Sequence, residues 1–195
     1  IGERMKQIKV GDGRRSCDMG PLVTKQHRDK VASYIDIAAG DGAEVVVDGR
    51  DVNPDGDAGG YWLGPTLIDK VPVTSKVYGE EIFGPVLSVV RVASYEEGLE
   101  LINSGAFGNG TAIFTNDGGA ARRFQHEVEV GMIGINVPIP VPVAYFSFGG
   151  WKHSLFGDSR VHVDEGFRSF TQTKVVTSRW LDPSHGGLNL GFPQN

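Results

Sequence analysis

Apolar and polar residues follow two different periods along this chain, and the two alternate from one segment to the next. A helical period predicts helices over residues 26–39, 95–103, 118–128 and 166–170. Alternating or continuous apolar residues predict strands over residues 43–47, 61–68, 86–92, 111–114, 131–135 and 173–180. This succession is typical of an α/β fold, with a mainly parallel twisted sheet and flanking helices.

One long segment fits neither period. Residues 136–152 combine prolines with aromatic residues, and they contain no regular pattern of either kind. An irregular segment of this length inside a compact protein is usually functional. Beyond it, residues 181–195 are rich in Gly and Pro, and we predict that they form a tail.

The composition is that of an ordinary globular protein, with 39% hydrophobic and 22% charged residues in a chain of 195. The net charge of -5 and the dispersed Lys and Arg favour neither a nucleic-acid partner nor an anionic membrane. The longest apolar run, residues 137–148, is interrupted by prolines and is too short to cross a membrane. We therefore expect no nucleic acid and no membrane among the partners.

The cysteine content indicates a reducing compartment. Cys17 is the single cysteine, so no disulfide can form within the chain. Arg14 and Arg15 would favour its thiolate, but no histidine is near it in sequence. We interpret Cys17 as an inert thiol.

Two patterns resemble metal sites, and neither is complete. Residues 51–56 match the first half of an EF-hand calcium loop, but Trp62 stands where the bidentate glutamate is needed. The five histidines have no spacing that places two on one helix face, and there is no second cysteine to join them. We predict no metal site.

Residues 78–86 contain groups suited to a nucleotide. A carboxylate such as that of Glu81 can accept hydrogen bonds from both hydroxyls of a ribose, and the ring of Phe83 can lie against a flat heterocycle. Gly84 and Pro85 predict a turn that fixes the direction of the segment. Acidic pairs are usually solvated, however, and Phe83 would also suit a core, so the residues alone leave both interpretations open.

Six short motifs follow one another along the chain: DMGPLV (18–23), GPTL (64–67), EIFGPV (81–86), GTAIFT (110–115), GMIGIN (131–136) and FGGWK (148–152). Their content and order resemble the NAD(P)-dependent aldehyde dehydrogenase superfamily over nearly the whole chain. Within that superfamily, NVPIPVP (136–142) and FTQTKVVTSRW (170–180) resemble the methylmalonate-semialdehyde dehydrogenases.

The resemblance implies a domain assignment and a reaction. Residues 1–172 would be the C-terminal part of a catalytic domain, residues 173–180 an oligomerisation strand and residues 181–195 the tail. The reaction would be oxidation of malonate or methylmalonate semialdehyde with NAD and coenzyme A, giving acetyl-CoA or propionyl-CoA with loss of the carboxyl carbon. The implied setting is valine or inositol breakdown by a homo-oligomer, a dimer or tetramer. A bacterial cytoplasm is favoured over a mitochondrial matrix.

The resemblance also assigns roles to four residues. Glu81 would bind the nicotinamide ribose, and Phe83 would pack near the nicotinamide ring. Asn136 and Phe148 would lie near the aldehyde pocket, the ring of Phe148 supplying an apolar wall. Asn136 is equally compatible with a structural turn, and Phe148 with a core position.

The groups that perform the chemistry are expected elsewhere. In the family, the nucleophilic cysteine lies upstream of the segment that corresponds to residues 1–13. The general base, the dinucleotide-binding domain and the arginines that hold the substrate carboxylate are also expected in preceding sequence. The chain opens at Ile1 and not at Met, so we expect preceding residues to be missing and the isolated chain to be inactive. Two alternatives stay open: a non-catalytic assembly module that uses residues 173–180, or part of a dehydrogenase that oxidises another aldehyde by hydrolysis.

Overall fold

A computed structural model of the protein describes residues 1–56, 59–178 and 180. The chain divides into two compact units, Ile1–Tyr95 and Glu96–Asn195. Each unit has its own helices and its own small sheets. In the described part of the chain, no helix is both long and apolar enough to cross a membrane.

The first unit packs its longest helix on a three-stranded sheet. Its helices are α1 (Gly2–Met5), α2 (Lys25–Gly40) and α3 (Lys76–Gly79), and its strands are β1 (Glu44–Val47), β2 (Thr66–Asp69) and β3 (Val86–Ser88). Strand β2 is central, antiparallel to β1 and parallel to β3. Helix α2 begins where Thr24 Oγ1 accepts a hydrogen bond from the backbone N–H of His27, at 3.1 Å.

The core of this unit lies against one face of α2. The helix buries Val31, Tyr34, Ile35 and Ala38, whose spacing places them on the same face. The rest of the buried cluster comes from the sheet and the segments around it: Leu63, Ile68, Val71, Val77 and Ile82. Burying one large aliphatic side chain contributes about 1.5–3 kcal/mol, so this cluster holds the sheet to the helix.

The second unit consists of short strands and three helices. The helices are α4 (Tyr95–Asn103), α5 (Gly118–Glu127) and α6 (Val163–Ser169), and the strands are β4 (Phe107–Gly108), β5 (Gly110–Ile113), β6 (Met132–Ile135) and β7 (Trp151–Lys152). Strands β5 and β6 pair in parallel over their whole length, and β4 pairs antiparallel with β7. Asp117 begins α5, because its Oδ1 accepts hydrogen bonds from the amides of Gly119 and Ala120.

The predicted helices all form, whereas most of the strands are shorter than predicted. Helix α4 has the predicted bounds, and α6 begins three residues earlier than the predicted 166–170. Of the predicted strand 61–68 only the end becomes part of β2, and of 86–92 only β3 forms. The α/β class is confirmed, with parallel and antiparallel pairings both present among the described strands.

The predicted strand over residues 173–180 does not form within this chain. Residues 173–178 and Trp180 lie in no strand and are exposed, Val175 to 87% and Val176 to 75%. An extended segment needs a neighbour to accept its hydrogen bonds, and none of the described strands pairs with it. Pairing with another subunit therefore stays a prediction. The predicted tail, residues 181–195, lies outside the described residues.

In the second unit, two stretches of backbone approach so closely that side chains are excluded between them. A Cβ atom on Gly131 would stand 2.1 Å from the carbonyl oxygen of Gly149 and 2.8 Å from the Cα of Gly150. Gly131 also donates its N–H to the carbonyl of Gly108, at 2.9 Å. Glycine is required because the neighbouring atoms are backbone and cannot rotate away.

We expect Gly131→Ala to destabilise the protein by about 2–3 kcal/mol, because the added methyl group overlaps backbone atoms. The measurement is the free energy of unfolding from urea denaturation. Gly118→Ala is the matched control, since its Cβ would meet only Arg122 Nη1 at an ordinary 3.6 Å. Equal stability of the two variants would contradict the close approach.

Candidate functional site

The segment between α3 and β3 turns one side chain inward and its two neighbours outward. Ile82 is 9% exposed and belongs to the core, whereas Phe83 is 77% exposed. Glu81 is exposed, and its carboxylate forms no hydrogen bond or ion pair with any residue in the described part of the chain. The interpretation of Phe83 as a core residue is therefore wrong. Both groups predicted to contact NAD face away from the core.

The backbone of Phe83 adopts an unfavourable conformation. Its φ of 55° lies in the left-handed region, which costs a residue other than glycine about 1–2 kcal/mol. Its carbonyl oxygen accepts a hydrogen bond from His27 Nε2 at 2.8 Å, and the two rings meet edge to face with centroids 6.4 Å apart. Backbone strain that is held in place by its surroundings is typical of ligand-contacting segments.

Gly84 and Pro85 form the predicted turn. A Cβ on Gly84 would lie 2.5 Å from Val31 Cγ1, so only glycine can pass α2 at this point. The amide of Val86 donates to the carbonyl of Gly84 at 2.7 Å, which closes a tight turn around Pro85. The chain then enters β3.

An open depression of about 290 Å³ lies beside the exposed ring. Phe83, Gly84 and Pro85 line one part of it, and His27 and residues 19–23 line the rest. The motifs at 18–23 and 81–86, far apart in sequence, thus meet at one surface. Apolar walls next to an exposed ring suit a flat heterocycle.

The second carboxylate of the acidic pair is engaged with the protein. The hydroxyl of Tyr34 donates a hydrogen bond to Glu80 Oε2 at 2.5 Å. This hydrogen bond to a carboxylate, together with burial, raises the pKa of Tyr34, so the hydroxyl stays protonated and remains the donor. Glu81 is the member of the pair that is left for a ligand.

In the second unit, Asn136 has a structural role. Its φ is 57°, and its side-chain amide bonds the backbone of Thr115 twice: Oδ1 accepts from the amide at 2.9 Å and Nδ2 donates to the carbonyl at 3.0 Å. The amide of Asn136 also donates to the carbonyl of Ile113, at 2.8 Å. These bonds continue the pairing of β5 and β6 by one step, which is the turn role left open by the sequence.

Phe148 is half-buried and stacks on a histidine. Its ring and that of His162 lie 5.3 Å apart between centroids, at 28°. His162 is fixed in turn by a hydrogen bond between its Nδ1 and the carbonyl of Phe146, at 3.0 Å. Phe148 thus packs on the residue that precedes α6.

Lys152 closes the C-terminal end of α4. Its Nζ donates to the carbonyls of Asn103 at 2.5 Å and of Gly105 at 3.2 Å. A lysine amine in this position satisfies carbonyls that the helix leaves without partners and opposes the helix dipole. Lys152 therefore has a structural role.

The loop that resembled half a calcium site is held by backbone contacts. Asp55 donates its N–H to the carbonyl of Val10 at 2.8 Å and accepts from the amide of Asp12 at 3.0 Å. Over residues 1–56, 59–178 and 180, no group of three His, Cys, Asp or Glu side chains is placed to hold a metal ion.

The sequence alone did not identify the contributions of His27 and Tyr34. In the sequence His27 is one of five scattered histidines, and no motif includes Tyr34. The spacing of His27, Val31 and Tyr34 places them on one face of the predicted helix. That face contacts residues 80–84, which are remote in sequence, so the spacing alone does not identify the contact.

The sequence of this chain matches a known protein family. Residues 1–176 match the profile of the aldehyde dehydrogenase family. Malonate-semialdehyde dehydrogenase of Pseudomonas aeruginosa is 53% identical over 193 residues, which cover 97% of this chain and 39% of that protein. The chain therefore spans about two fifths of the length of this curated relative.

Two solved structures resemble this chain in both fold and sequence. The crystal structure of methylmalonate-semialdehyde dehydrogenase from Oceanimonas doudoroffii superimposes with a TM-score of 0.86 at 48% identity, covering 94% of this chain and 38% of that one. A Sinorhizobium meliloti protein described as a methylmalonate-semialdehyde dehydrogenase, complexed with NAD, gives 0.85 at 46% identity, covering 92% and 37%. This chain belongs to the aldehyde dehydrogenase family.

Proposed function

We propose that this chain forms the C-terminal part of the catalytic domain of an NAD-dependent malonate- or methylmalonate-semialdehyde dehydrogenase that uses coenzyme A. The observation that carries the proposal is the 53% identity to the P. aeruginosa malonate-semialdehyde dehydrogenase over 97% of this chain. The likeness to a methylmalonate-semialdehyde dehydrogenase at a TM-score of 0.86 supports the same class of substrate.

The first unit offers groups that fit the nicotinamide end of NAD. Glu81 has a carboxylate without a partner among the described residues, and it would accept hydrogen bonds from both ribose hydroxyls. The exposed ring of Phe83 would lie against the nicotinamide. When bound, NAD supplies the hydride acceptor. The part of this chain is to bind and orient that end of the cofactor.

We propose that Asn136 and Phe148 shape the aldehyde pocket. Thr115 uses one of the two hydrogens on Asn136 Nδ2, so the second hydrogen is left to orient a ligand. The stacked ring of Phe148 would supply an apolar wall. Both side chains are fixed by contacts within the second unit, so they would keep their orientation as substrate enters.

The bond-making groups are proposed to lie in a preceding part of the longer protein. Acyl transfer to coenzyme A needs a thiolate nucleophile and a general base. The sequence around Cys17 does not reproduce the context of the family's nucleophile, so Cys17 is not proposed for that role. Assembly as a homo-oligomer, a place in valine or inositol breakdown and a bacterial cytoplasm stay predictions from the resemblance.

The reaction can be tested in a full-length enzyme made by joining this chain to the preceding part of the P. aeruginosa relative. We expect NAD reduction by malonate semialdehyde to require coenzyme A and to yield acetyl-CoA. The isolated 195-residue chain should give no NAD reduction, because it lacks the nucleophile and the base. The complete P. aeruginosa enzyme is the positive control. Equal rates without coenzyme A, with a free acid as product, would favour hydrolytic oxidation over transfer to coenzyme A.

The role of Glu81 can be tested separately with Glu81→Gln in the same full-length enzyme. Loss of the charged acceptor should raise the KM for NAD by about tenfold or more, since hydrogen bonds to charged groups are worth about 1.5–3 kcal/mol. The thermal midpoint should not change, because Glu81 contacts no described residue through its carboxylate. Glu100→Gln, at another exposed glutamate, is the control. An unchanged KM would remove Glu81 from the cofactor site.

A second candidate function is assembly without catalysis. Residues 173–178 are exposed and lie in no strand, and the adjacent apolar side chains of Val175 and Val176 are 87% and 75% exposed. Such a segment is suited to adding a strand to a sheet of a neighbouring subunit.

Removing residues 173–195 should lower the oligomer size of the chain if this segment joins subunits, because the added strand supplies the backbone hydrogen bonds between them. Analytical ultracentrifugation of the truncated and complete chains makes the measurement. Val175→Ser with Val176→Ser in the complete chain keeps the length and tests the apolar contribution. An oligomer size that is the same in all three proteins would rule out the assembly role.

A further inference from the structure

Three residues on one face of α2 contact residues 80–84, the segment that carries Glu81 and Phe83. His27, Val31 and Tyr34 stand at positions i, i+4 and i+7, which fall within about 60° of one another around a helix of 3.6 residues per turn. Each touches a different part of residues 80–84: Tyr34 binds Glu80, Val31 meets Gly84, and His27 binds Phe83.

The contact with Tyr34 fixes the beginning of the segment. Tyr34 is 3% exposed, so its ring cannot move without disturbing the core. Its hydroxyl donates to the Glu80 carboxylate, and hydrogen bonds to charged acceptors are roughly twice as strong as neutral ones. With Glu80 held against α2 and Ile82 buried, Glu81 is directed outward.

The contact with His27 fixes the end of the segment. Phe83 is largely exposed, so burial does not hold its ring, and its left-handed φ is unfavourable for an aromatic residue. The hydrogen bond from His27 Nε2 to its carbonyl offsets part of that cost. Gly84 then lies directly against Val31, which prevents the next residue from shifting away.

We propose that His27 and Tyr34 are positioning residues for NAD: they hold residues 80–84 in the conformation that aims Glu81 and Phe83 at the nicotinamide end before the cofactor binds. The inference rests on the proposed function, because it concerns the same cofactor site. Although His27 also lines the depression beside Phe83, the role proposed for both residues is to hold the segment and not to contact NAD. Their contribution is preorganisation, which lowers the entropy lost on binding and therefore changes affinity and not the chemical step.

The experiment compares His27→Leu with His27→Gln. Leucine removes the donor, whereas the amide of glutamine can donate from nearly the position of Nε2. In the chain itself, we expect backbone amides of residues 80–86 to exchange with deuterium about tenfold faster in His27→Leu, and near the original rate in His27→Gln. Gln26→Leu is the control, since Gln26 is the exposed neighbour on α2.

The second readout is kinetic and uses the full-length enzyme described above. His27→Leu should raise the KM for NAD about tenfold with kcat changed by less than about twofold, and His27→Gln should restore the KM. Tyr34→Phe, which removes only the hydroxyl, should also raise the KM for NAD. This variant keeps the inference testable if His27→Leu impairs folding.

Two results would overturn the inference. One is unchanged exchange and unchanged KM in both His27→Leu and Tyr34→Phe. The other is faster exchange throughout the chain that His27→Gln does not reverse, which would mean that His27 is merely structural. An inactive full-length enzyme that carries the unaltered chain would refute the proposed function, and the exchange experiment would still decide whether α2 positions the segment.

Discussion

Gly84 lies against α2 at a distance that no other residue could accept, because a Cβ there would come within 2.5 Å of Val31 Cγ1. Val31 is 0% exposed at the centre of the first unit's core, so the helix cannot withdraw without opening a cavity. At Gly84 the segment therefore contacts α2 through backbone atoms, with no side chain between them. With Ile82 directed into the core, its neighbours Glu81 and Phe83 are left on the surface. The candidate cofactor contact is thus a consequence of how one helix packs.

The second unit uses a related constraint. Gly131 meets Gly149 and Gly150 through backbone atoms, which holds the end of the irregular loop against the start of β6. The beginning of that loop is fixed by the side chain of Asn136 on Thr115. Residues 136–150 are therefore irregular in path, yet anchored near both ends, and the chain then enters β7. A loop of this kind can present pocket residues without belonging to a sheet.

The proposed function assigns cofactor and substrate contacts to this chain and the bond-making groups to a preceding part of a longer protein. This chain spans 39% of its P. aeruginosa relative, and the roles proposed for its residues are in binding. A carboxylate and a ring held in fixed directions suit the recognition and orientation of a cofactor, whereas a nucleophile and a base are needed for the chemistry. The segment that carries Glu81 and Phe83 rests on α2, through His27, Val31 and Tyr34.

Local signals in the sequence determined the helices and the family. Helix α4 has its predicted bounds, and Asp117 begins α5, because period and capping depend on residues a few positions apart. The motif at 81–86 predicts the cofactor contact, and that role stays a prediction. Only the tertiary structure decided that β2 is confined to Thr66–Asp69, since a strand exists only where a neighbour pairs with it. It also decided that Phe83 faces outward and that Tyr34 engages Glu80 and leaves Glu81 open, because those contacts join residues remote in sequence and no local pattern encodes them.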